Sequence, residues 1–496
     1  MTVLSEVPFK PDSLPLLIGA EWVKSQSTEH LAVMNPGTGE KLSNVPLASE
    51  QEVDCAVESC QSAFQEWKEV PLSNRVQYLF RMKAVFESHL EELARINTQN
   101  HGKTIVESRG DIRRTIENIE AAIAAGLTLS KGEQLDQVAP GIDEGIVKEP
   151  LGVFAIVCPF NFPIMVPFWF VPYAIVLGST VVIKPSEITP LPAAFVTELI
   201  QREVRLPPGV INLVHGSKKT VESLTSHPLV KGVTFVGSTL VGRQVYKLAG
   251  EHGKRAIVQA GAKNCLVVMP DADLSYTVES CVSSFFGNAG QRCLAGANLL
   301  VGDKIHDQLL RKLANRSEAM KLGYGLDETT EMGPLVSQKA KDRVVQYIDE
   351  ATSDGARIIL DGRKHIVKGY ENGYFLGPTI FDEVDPDMTI AKDEIFGPVA
   401  SIMEVSNLDE AIDLINQNTN YGNAASIFTS NGLHAREFRR KVQAGNIGIN
   451  VGVAAPLSYF PFGGMRNSFY GVLHGQIDSV DFFTDRKVII SRWGTS

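Results

Sequence analysis

Residues 152–183 read GVFAIVCPFNFPIMVPFWFVPYAIVLGSTVVI, without a single charged side chain. Residues 152–157 and 180–183, at the two ends, are continuous apolar runs, as is typical of strands buried on both faces of a parallel sheet. The middle is interrupted by Pro159, Pro163, Pro167 and Pro172. Each proline removes a helical hydrogen bond that lipid could not replace. We therefore expect a buried strand, a loop and a short buried helix before the next strand, and no membrane span.

The same alternation of apolar strands and helix-length segments continues along the chain. Residues 210–214, 221–224 and 232–236 extend the first series, and a second series runs from residue 264 to residue 449, with strands around 265–269 and 298–301. Strands joined by helical crossovers predict parallel, doubly wound sheets. The sequence thus indicates an α/β protein with two such lobes.

The segments that flank these series have other patterns. Residues 51–126 show the spacing of amphipathic helices, with one run at 74–96 and another at 103–125. Residues 126–148 alternate short apolar runs with turn residues, which predicts an excursion of strands outside the core. Residues 479–493 read as one extended strand.

Composition excludes several classes of function. The chain of 496 residues carries 47 Lys and Arg against 57 Asp and Glu, a net charge of −10 that disfavours nucleic acid and anionic membranes as partners. Its six cysteines form no C-x-x-C pair, and no histidine cluster has zinc-ligand spacing, so we expect no metal site. Scattered cysteines and an N-terminus without an apolar signal region favour a cytoplasmic location.

Cys293 lies in the segment Gly287-Asn-Ala-Gly-Gln-Arg-Cys-Leu-Ala295, which we expect at the end of a helix. Small neighbours let a substrate reach the sulfur, and the adjacent Arg292 is expected to favour the reactive thiolate. The alternative is a buried core cysteine that acts as a small hydrophobic residue. A second candidate is Asn161, whose amide between aromatic and proline residues can donate to an oxyanion. Its alternative role is to satisfy a turn.

Two further motifs follow predicted strands. Residues 235–242 pass from a strand into a helix through Gly237, so that backbone N–H groups and the helix dipole can face a phosphate. They do not match G-x-G-x-x-G, and an ordinary strand-to-helix turn is the alternative. Lys184 and Glu187 follow another strand, where open α/β sheets bind ligands, and can hold ribose hydroxyls or lie solvated in a loop.

Taken together, these segments resemble the aldehyde dehydrogenase superfamily over nearly the whole chain. The motifs around Asn161, Lys184, Gly237 and Cys293 have its order and spacing, as do residues 394–398 (EIFGP) and 461–464 (PFGG). Residues 159–169, 261–264 and 479–483 resemble the methylmalonate-semialdehyde dehydrogenases that acylate coenzyme A.

The resemblance implies a fold and an assembly. It implies an NAD-binding domain at 1–126 and 149–259, a catalytic domain at 260–460, and an oligomerisation arm of β-structure at 127–148 and 475–496. NAD is the expected oxidant and a homotetramer the expected assembly. Glu187 favours NAD over NADP, because a carboxylate near the ribose repels a 2′-phosphate.

The resemblance also implies roles for individual residues. Cys293 is the expected nucleophile, and Asn161 with the Cys293 backbone N–H is the expected oxyanion hole. Arg114 and Arg292 resemble a pair that grips the substrate carboxylate, for which planar bidentate donors are suited. Their alternatives are a solvated helix face, with Arg113 and Glu117 paired, and a structural ion pair. The expected cofactor-binding residues are Phe160, Lys184, Glu187, Gly237, Ser238, Gly242, Glu394 and Phe396.

One position departs from the hydrolytic members of the superfamily. They carry a glutamate where this chain has Gln259, and an amide cannot take a proton from water at neutral pH. A thiol needs less help, because the thiolate is intrinsically nucleophilic. This favours transfer of the acyl group to coenzyme A. The resemblance implies methylmalonate or malonate semialdehyde as the substrate, with loss of carbon dioxide. A hydrolytic enzyme, with Glu394 as a relocated base, and a non-catalytic binding relative are the alternatives.

Overall fold

The structure, a computed structural model, describes residues 3–494. Residues 1–2 and 495–496, at the ends of the ranges predicted for the first domain and the arm, lie outside it. The strands are β1 Leu16–Ile18, β2 Glu21–Val23, β3 His30–Met34, β4 Lys41–Pro46, β5 Glu133–Ala139, β6 Ile142–Pro150, β7 Val153–Val157, β8 Thr180–Lys184, β9 Ile211–Leu213, β10 Val230–Val236, β11 Arg255–Gln259, β12 Asn264–Val268, β13 Gly296–Gly302, β14 Arg357–Leu360, β15 Thr379–Asp382, β16 Val399–Val405, β17 Tyr421–Gly422, β18 Ala424–Phe428, β19 Asn446–Ile449, β20 Met465–Arg466, β21 Phe469–Gly471 and β22 Thr484–Arg492.

The helices alternate with these strands along most of the chain. They are α1 Glu50–Trp67, α2 Leu72–Ser88, α3 Leu90–His101, α4 Ile105–Thr128, α5 Pro167–Val176, α6 Leu191–Leu199, α7 Lys218–Ser226, α8 Thr239–Glu251, α9 Leu274–Phe286, α10 His306–Glu318, α11 Gln338–Ser353, α12 Thr389–Lys392, α13 Leu408–Gln417, α14 Gly432–Lys441 and α15 Gln476–Phe483.

The first sheet has the strand order β2-β1-β9-β8-β7-β10-β11-β21, and its five strands from β9 to β11 are parallel. β7 and β8 are buried along their whole length, as their apolar runs predict. Helices α2 to α6 cover one face, and α1, α7 and α8 cover the other. Chain order reverses between β7 and β10, the kind of position at which open α/β sheets bind ligands.

The second sheet has the order β14-β15-β16-β13-β12-β18-β19, parallel except for β14. A third sheet, β22-β6-β5, is antiparallel and pairs the C-terminal strand with residues 142–150. Two parallel-sheet lobes and a separate β-arm are thus present, as predicted. The exact domain boundaries and the oligomerising role of the arm stay predictions.

Some local predictions of helices and strands were wrong. Residues 221–224 belong to helix α7 rather than to a strand. Residues 74–96 are not one helix, because the chain breaks at His89, which ends α2 and begins α3. Residues 126–132 still belong to α4 and a turn, so the strand excursion begins later, at Glu133. Residues 479–483 are helical rather than extended, since they belong to α15, where Val480, Phe482 and Phe483 are buried in the core of the first lobe. Among the described residues, no helix is long and apolar enough to cross a membrane.

Candidate active site

Cys293 lies in the loop between α9 and β13, not at the end of a helix as predicted. α9 ends at Phe286, and a short turn follows in which Asn288, Ala289 and Gly290 have positive φ angles of 55°, 51° and 71°. At Gly290 a Cβ atom would lie 2.1 Å from the Gly397 carbonyl oxygen, so only glycine permits this approach. The turn therefore brings the cysteine loop against residues 394–398.

Two asparagine side chains hold the main chain of Cys293. Asn264, at the start of β12, and Asn423, before β18, each donate to the Cys293 carbonyl oxygen over 2.8 Å. Asn264 also donates to the Ala295 carbonyl oxygen over 2.8 Å. The cysteine is therefore fixed by residues at the starts of two neighbouring strands of the second sheet, β12 and β18.

Arg292 favours the thiolate, as predicted, but its effect is outweighed by burial. Burial, and after it the nearby carboxylate of Glu394, raises the pKa of the Cys293 thiol to about 12. Arg292 lowers that pKa least among the contributing groups, and its guanidinium is paired with Glu107 over 2.7 Å. The thiol is therefore predominantly protonated at neutral pH in the unliganded protein.

Asn161 lies beside the cysteine loop, in the segment that follows β7. It is buried, and its Nδ2 donates to the Gln291 carbonyl oxygen over 3.0 Å. Its own carbonyl oxygen accepts a hydrogen bond from Nζ of the buried Lys103 over 2.7 Å. Since a side-chain amide has two N–H donors, one is still available for an oxyanion.

Cys293, Arg114 and Arg292 line a single cavity of about 350 Å³. Arg114 lies on α4 and lines the cavity. It is Arg114, not Arg113, that pairs with Glu117, over 3.0 Å. The charged lining also includes Lys103, Glu107 and Asp111, so that three cations face two carboxylates.

An aromatic wall closes the apolar part of this cavity. The Trp169 ring stacks on His474 at 5.0 Å and on Phe462 at 5.5 Å between centroids. All three side chains line the cavity, and burial lowers the pKa of His474 to about 3. The imidazole is therefore neutral at physiological pH, and the wall carries no charge.

Lys184 and Glu187 border a second cavity, of about 470 Å³, at the carboxyl ends of β7, β8 and β10. Lys184 Nζ contacts Glu187 Oε2 at 2.9 Å. The opposite wall is formed by α7 and α8, including Lys218, Val221 and Val245. Residues of α7 were not predicted as cofactor neighbours, since this short amphipathic helix carries no motif.

The strand-to-helix turn predicted at 235–242 is confirmed as β10, Gly237, Ser238 and α8. Ser238 precedes the first residue of α8 and is exposed, and its side chain makes no capping bond. At Gly242 a Cβ atom would lie 2.9 Å from Val258 Cγ1, so the glycine lets α8 lie close to β11. The exposed helix start and the cavity beside it fit a dinucleotide with its phosphates at the N-terminus of α8.

Glu394 and Phe396 occupy the loop before β16. Glu394 is half-buried and accepts a hydrogen bond from the Ala262 N–H over 2.8 Å, and burial raises its pKa to about 7. Phe396 has a φ angle of 55°, and its ring meets Phe160 edge-on at 5.7 Å between centroids. Phe160 and Phe396 therefore join the loop after β7 to the loop before β16.

Gln259 ends β11, and its side chain is buried. Within the described chain neither its amide oxygen nor its amide nitrogen has a hydrogen-bond partner. Sequence reasoning found this position, whereas it missed Lys103, Glu107 and Asn423 and included Asn264 only as part of the segment 261–264. Lys103, Glu107 and Asn423 are isolated polar residues, so the sequence carries no signal that marks them.

Comparisons with known proteins find similarity over almost the whole length of this chain. A family profile described as the aldehyde dehydrogenase family matches residues 22–489. Malonate-semialdehyde dehydrogenase 2 of Geobacillus kaustophilus is 46% identical over 477 residues, which cover 96% of this chain and 98% of that protein. Malonate-semialdehyde dehydrogenase of Halalkalibacterium halodurans is 44% identical over 483 residues, or 97% of this chain and 99% of that protein.

Two solved structures are also similar. Methylmalonate-semialdehyde dehydrogenase from Oceanimonas doudoroffii has a TM-score of 0.95 and 38% identity, covering 98% of this chain and 99% of that chain. A protein from Sinorhizobium meliloti, described as a methylmalonate-semialdehyde dehydrogenase complexed with NAD, has a TM-score of 0.95 and 37% identity, covering 98% of each chain. These similarities confirm the predicted α/β fold class and the predicted resemblance to the aldehyde dehydrogenases.

Proposed function

We propose, from the premise that this chain belongs to the aldehyde dehydrogenase family, that it oxidises malonate or methylmalonate semialdehyde and transfers the acyl group to coenzyme A. One observation carries the proposal: Cys293, Arg114 and Arg292 line the same cavity. A nucleophile and two guanidinium groups on one wall suit an aldehyde that carries a carboxylate a few bonds away. The names of the relatives support the same substrate class.

The Cys293 thiol gives its proton to water as its sulfur bonds to the aldehyde carbon, and the carbonyl π bond breaks to leave a negatively charged oxygen. The oxygen of the resulting thiohemiacetal receives hydrogen bonds from the free amide N–H of Asn161 and from the Cys293 backbone N–H. Lys103 holds the carbonyl of Asn161 and Gln291 accepts from its amide, so the donor is fixed before substrate binds. Preorganised donors of this kind stabilise negative charge as it develops.

Lys184, Glu187, Ser238 and the first turn of α8 would hold NAD, with Phe160, Glu394 and Phe396 near its nicotinamide end. When bound, NAD supplies the acceptor for the hydride that leaves the thiohemiacetal carbon. The acyl group then remains on Cys293 as a thioester. Its attachment to sulfur primes it for transfer to another thiol.

Coenzyme A is the proposed acceptor, because Gln259 replaces the carboxylate that would activate water. Its thiol displaces Cys293 from the acyl carbon and restores the free cysteine. Loss of the β-carboxylate as carbon dioxide gives acetyl-coenzyme A from malonate semialdehyde and propionyl-coenzyme A from methylmalonate semialdehyde.

The assembly and location are part of the same proposal. We infer a homotetramer held by the sheet β22-β6-β5, which exposes apolar side chains of Leu135, Val488 and Ile490. A cytoplasmic location is supported by the six cysteines, all of which have free thiols.

The test uses the whole protein mixed with malonate semialdehyde and NAD but without coenzyme A. Mass spectrometry should find one acyl adduct, on Cys293, and adding coenzyme A should release it as a thioester. Cys293→Ala should form no NADH, whereas Cys55→Ser, at an exposed cysteine, should retain full activity. Activity in Cys293→Ala, or free acid released equally fast without coenzyme A, would contradict the proposal.

A further inference from the structure

The Arg292 guanidinium lies in a cradle formed by three neighbouring groups. Its Nη2 donates to Glu107 Oε1 over 2.7 Å, and its Nη1 lies 3.5 Å from the Ser283 carbonyl oxygen. At Gly287 a Cβ atom would lie 2.6 Å from Nη1 and 2.8 Å from the guanidinium carbon. A carboxylate on one side and a missing side chain on the other therefore determine where the guanidinium lies.

Glu107 is itself held in place. Its Oε2 accepts from the Thr104 N–H and from the Thr104 hydroxyl, each over 3.0 Å, which forms the capping box at the start of α4. Its Oε1 also accepts from the Asn288 N–H over 2.6 Å, in the turn that precedes the cysteine loop. The Glu107 side chain is 16% exposed, so this carboxylate cannot move away from Arg292 without breaking the helix cap.

The cradle uses only part of the guanidinium. The fork of five N–H donors contributes one strong bond to Glu107, and its other donors make no strong bond to protein groups in residues 3–494. Arg292 lines the cavity with Cys293, so these donors are available to a ligand there. A guanidinium whose orientation is fixed in advance loses less conformational entropy when it binds a planar carboxylate.

We propose that Glu107 and Gly287 are positioning residues that select anionic aldehydes, because together they hold Arg292 in the orientation that receives the substrate carboxylate. The inference rests on the proposed function, in which Arg292 binds that carboxylate. It extends the specificity of the site from Arg292 to the two residues that hold it.

The experiment compares kcat/KM for malonate semialdehyde with kcat/KM for propanal, a neutral aldehyde of the same chain length. Glu107→Gln keeps a side chain that can cap α4 but removes the charge that holds Arg292. Gly287→Ala displaces the guanidinium from the other side and leaves Glu107 intact. Each variant should lower the ratio of semialdehyde to propanal activity by about tenfold, the effect expected when a hydrogen bond to a charged group is lost. Any loss of propanal oxidation, such as weakening of the Glu107–Asn288 bond would cause, should be smaller than the loss of semialdehyde oxidation.

Glu120→Gln is the matched control, since Glu120 lies on the same helix and pairs with Lys83 over 3.1 Å, away from the cavity. It should leave both activities unchanged. Equal losses on both aldehydes in Gly287→Ala would overturn the inference, even if Glu107→Gln failed to fold. Failure of the proposed function is seen separately, because the unmodified protein would then show no preference for the anionic aldehyde.

Discussion

The surroundings of Cys293 disfavour the thiolate anion that attack on an aldehyde requires. Burial and the Glu394 carboxylate raise the pKa of its thiol to about 12, and burial raises the pKa of Glu394 to about 7. The ionised Glu394 disfavours ionisation of the thiol, since two negative charges in a poorly solvated site repel each other. The protonation state of Glu394 therefore controls how readily the sulfur becomes a thiolate.

Glu394→Gln is expected to accelerate alkylation of Cys293 by iodoacetamide at mildly alkaline pH. Removing the carboxylate lowers the pKa of Cys293, and each unit of lowering gives about tenfold more thiolate. The rate of adduct formation, followed by mass spectrometry across pH, measures this change. Asp393→Asn, at the exposed neighbouring residue, is the control. Slower alkylation in Glu394→Gln would instead mean that Glu394 takes the thiol proton.

Residues within motifs could be predicted from the sequence, and isolated residues could not. Cys293 and Asn161 stand in segments whose composition is unusual, and the structure places them on adjacent loops. Glu107 lies on an amphipathic helix, where a charged residue ordinarily faces solvent. Its contact with Arg292 spans 185 residues of sequence, and nothing local encodes it.

Helix α8 shows how one missing methyl group sets the spacing between an element and its sheet. Gly242 faces Val258 of β11, whereas at Gly250, on the same helix, a Cβ atom would meet nothing within 4 Å. β-Branched valine is stiff, so it cannot rotate away from an added carbon. The two glycines therefore have opposite expected effects when they are replaced by alanine.

Gly242→Ala should push α8 away from the sheet and destabilise the protein by about 1–3 kcal/mol, as overpacking does. Because the start of α8 faces the proposed dinucleotide site, the KM for NAD should rise as well. Gly250→Ala should leave that KM unchanged and stabilise the protein by up to about 1 kcal/mol, because alanine favours helix. Melting temperature and NAD titration measure both effects, and equal behaviour of the two variants would contradict this account.

Among the elements, the buried strands could be predicted and several boundaries could not. β7 and β8 have apolar runs with no alternation, which distinguishes them from half-exposed strands. The break at His89 leaves the apolar pattern of α2 and α3 uninterrupted, so periodicity alone could not find it. Helix α15 is only eight residues long, and its aromatic residues are equally typical of a strand.

In the whole molecule, buried histidines make the free energy of unfolding depend on pH. Burial lowers the pKa of His215 and of His474 to about 3, and it also lowers that of His101 well below 6.5. In the unfolded chain these histidines have their usual pKa of about 6.5. Between pH 6.5 and pH 3 the unfolded chain therefore binds more protons than the folded protein. Stability is therefore fully present above about pH 6.5 and is lost as the pH falls toward 3.

His215→Gln should flatten this dependence. Each such histidine contributes about 1.4 kcal/mol of destabilisation per pH unit below its unfolded pKa. The difference in melting temperature between neutral and acidic buffer should therefore be smaller in the variant than in the unmodified protein. His30→Gln, at an exposed histidine, should leave the difference unchanged. An unaltered slope in His215→Gln would show that other groups cause the loss.

The alternation of strands and helices predicted the two lobes. The resemblance to the aldehyde dehydrogenases added the oligomerising role of the β-arm and the division into domains. Strand β21 could not be predicted, because it has only three residues and pairs with β11, about 210 positions earlier in the chain. Such a long-range pairing leaves no periodic trace in the sequence.

That late strand has a consequence for synthesis on the ribosome. β11 is complete at Gln259, but its outer edge is covered only when Phe469–Gly471 has been made. At ~5–20 residues per second, the nascent polypeptide leaves that edge open for roughly 10–40 s. During this interval it is a template for pairing with a foreign strand. The order in which the segments are translated thus delays completion of the first sheet until nearly the whole chain has been made.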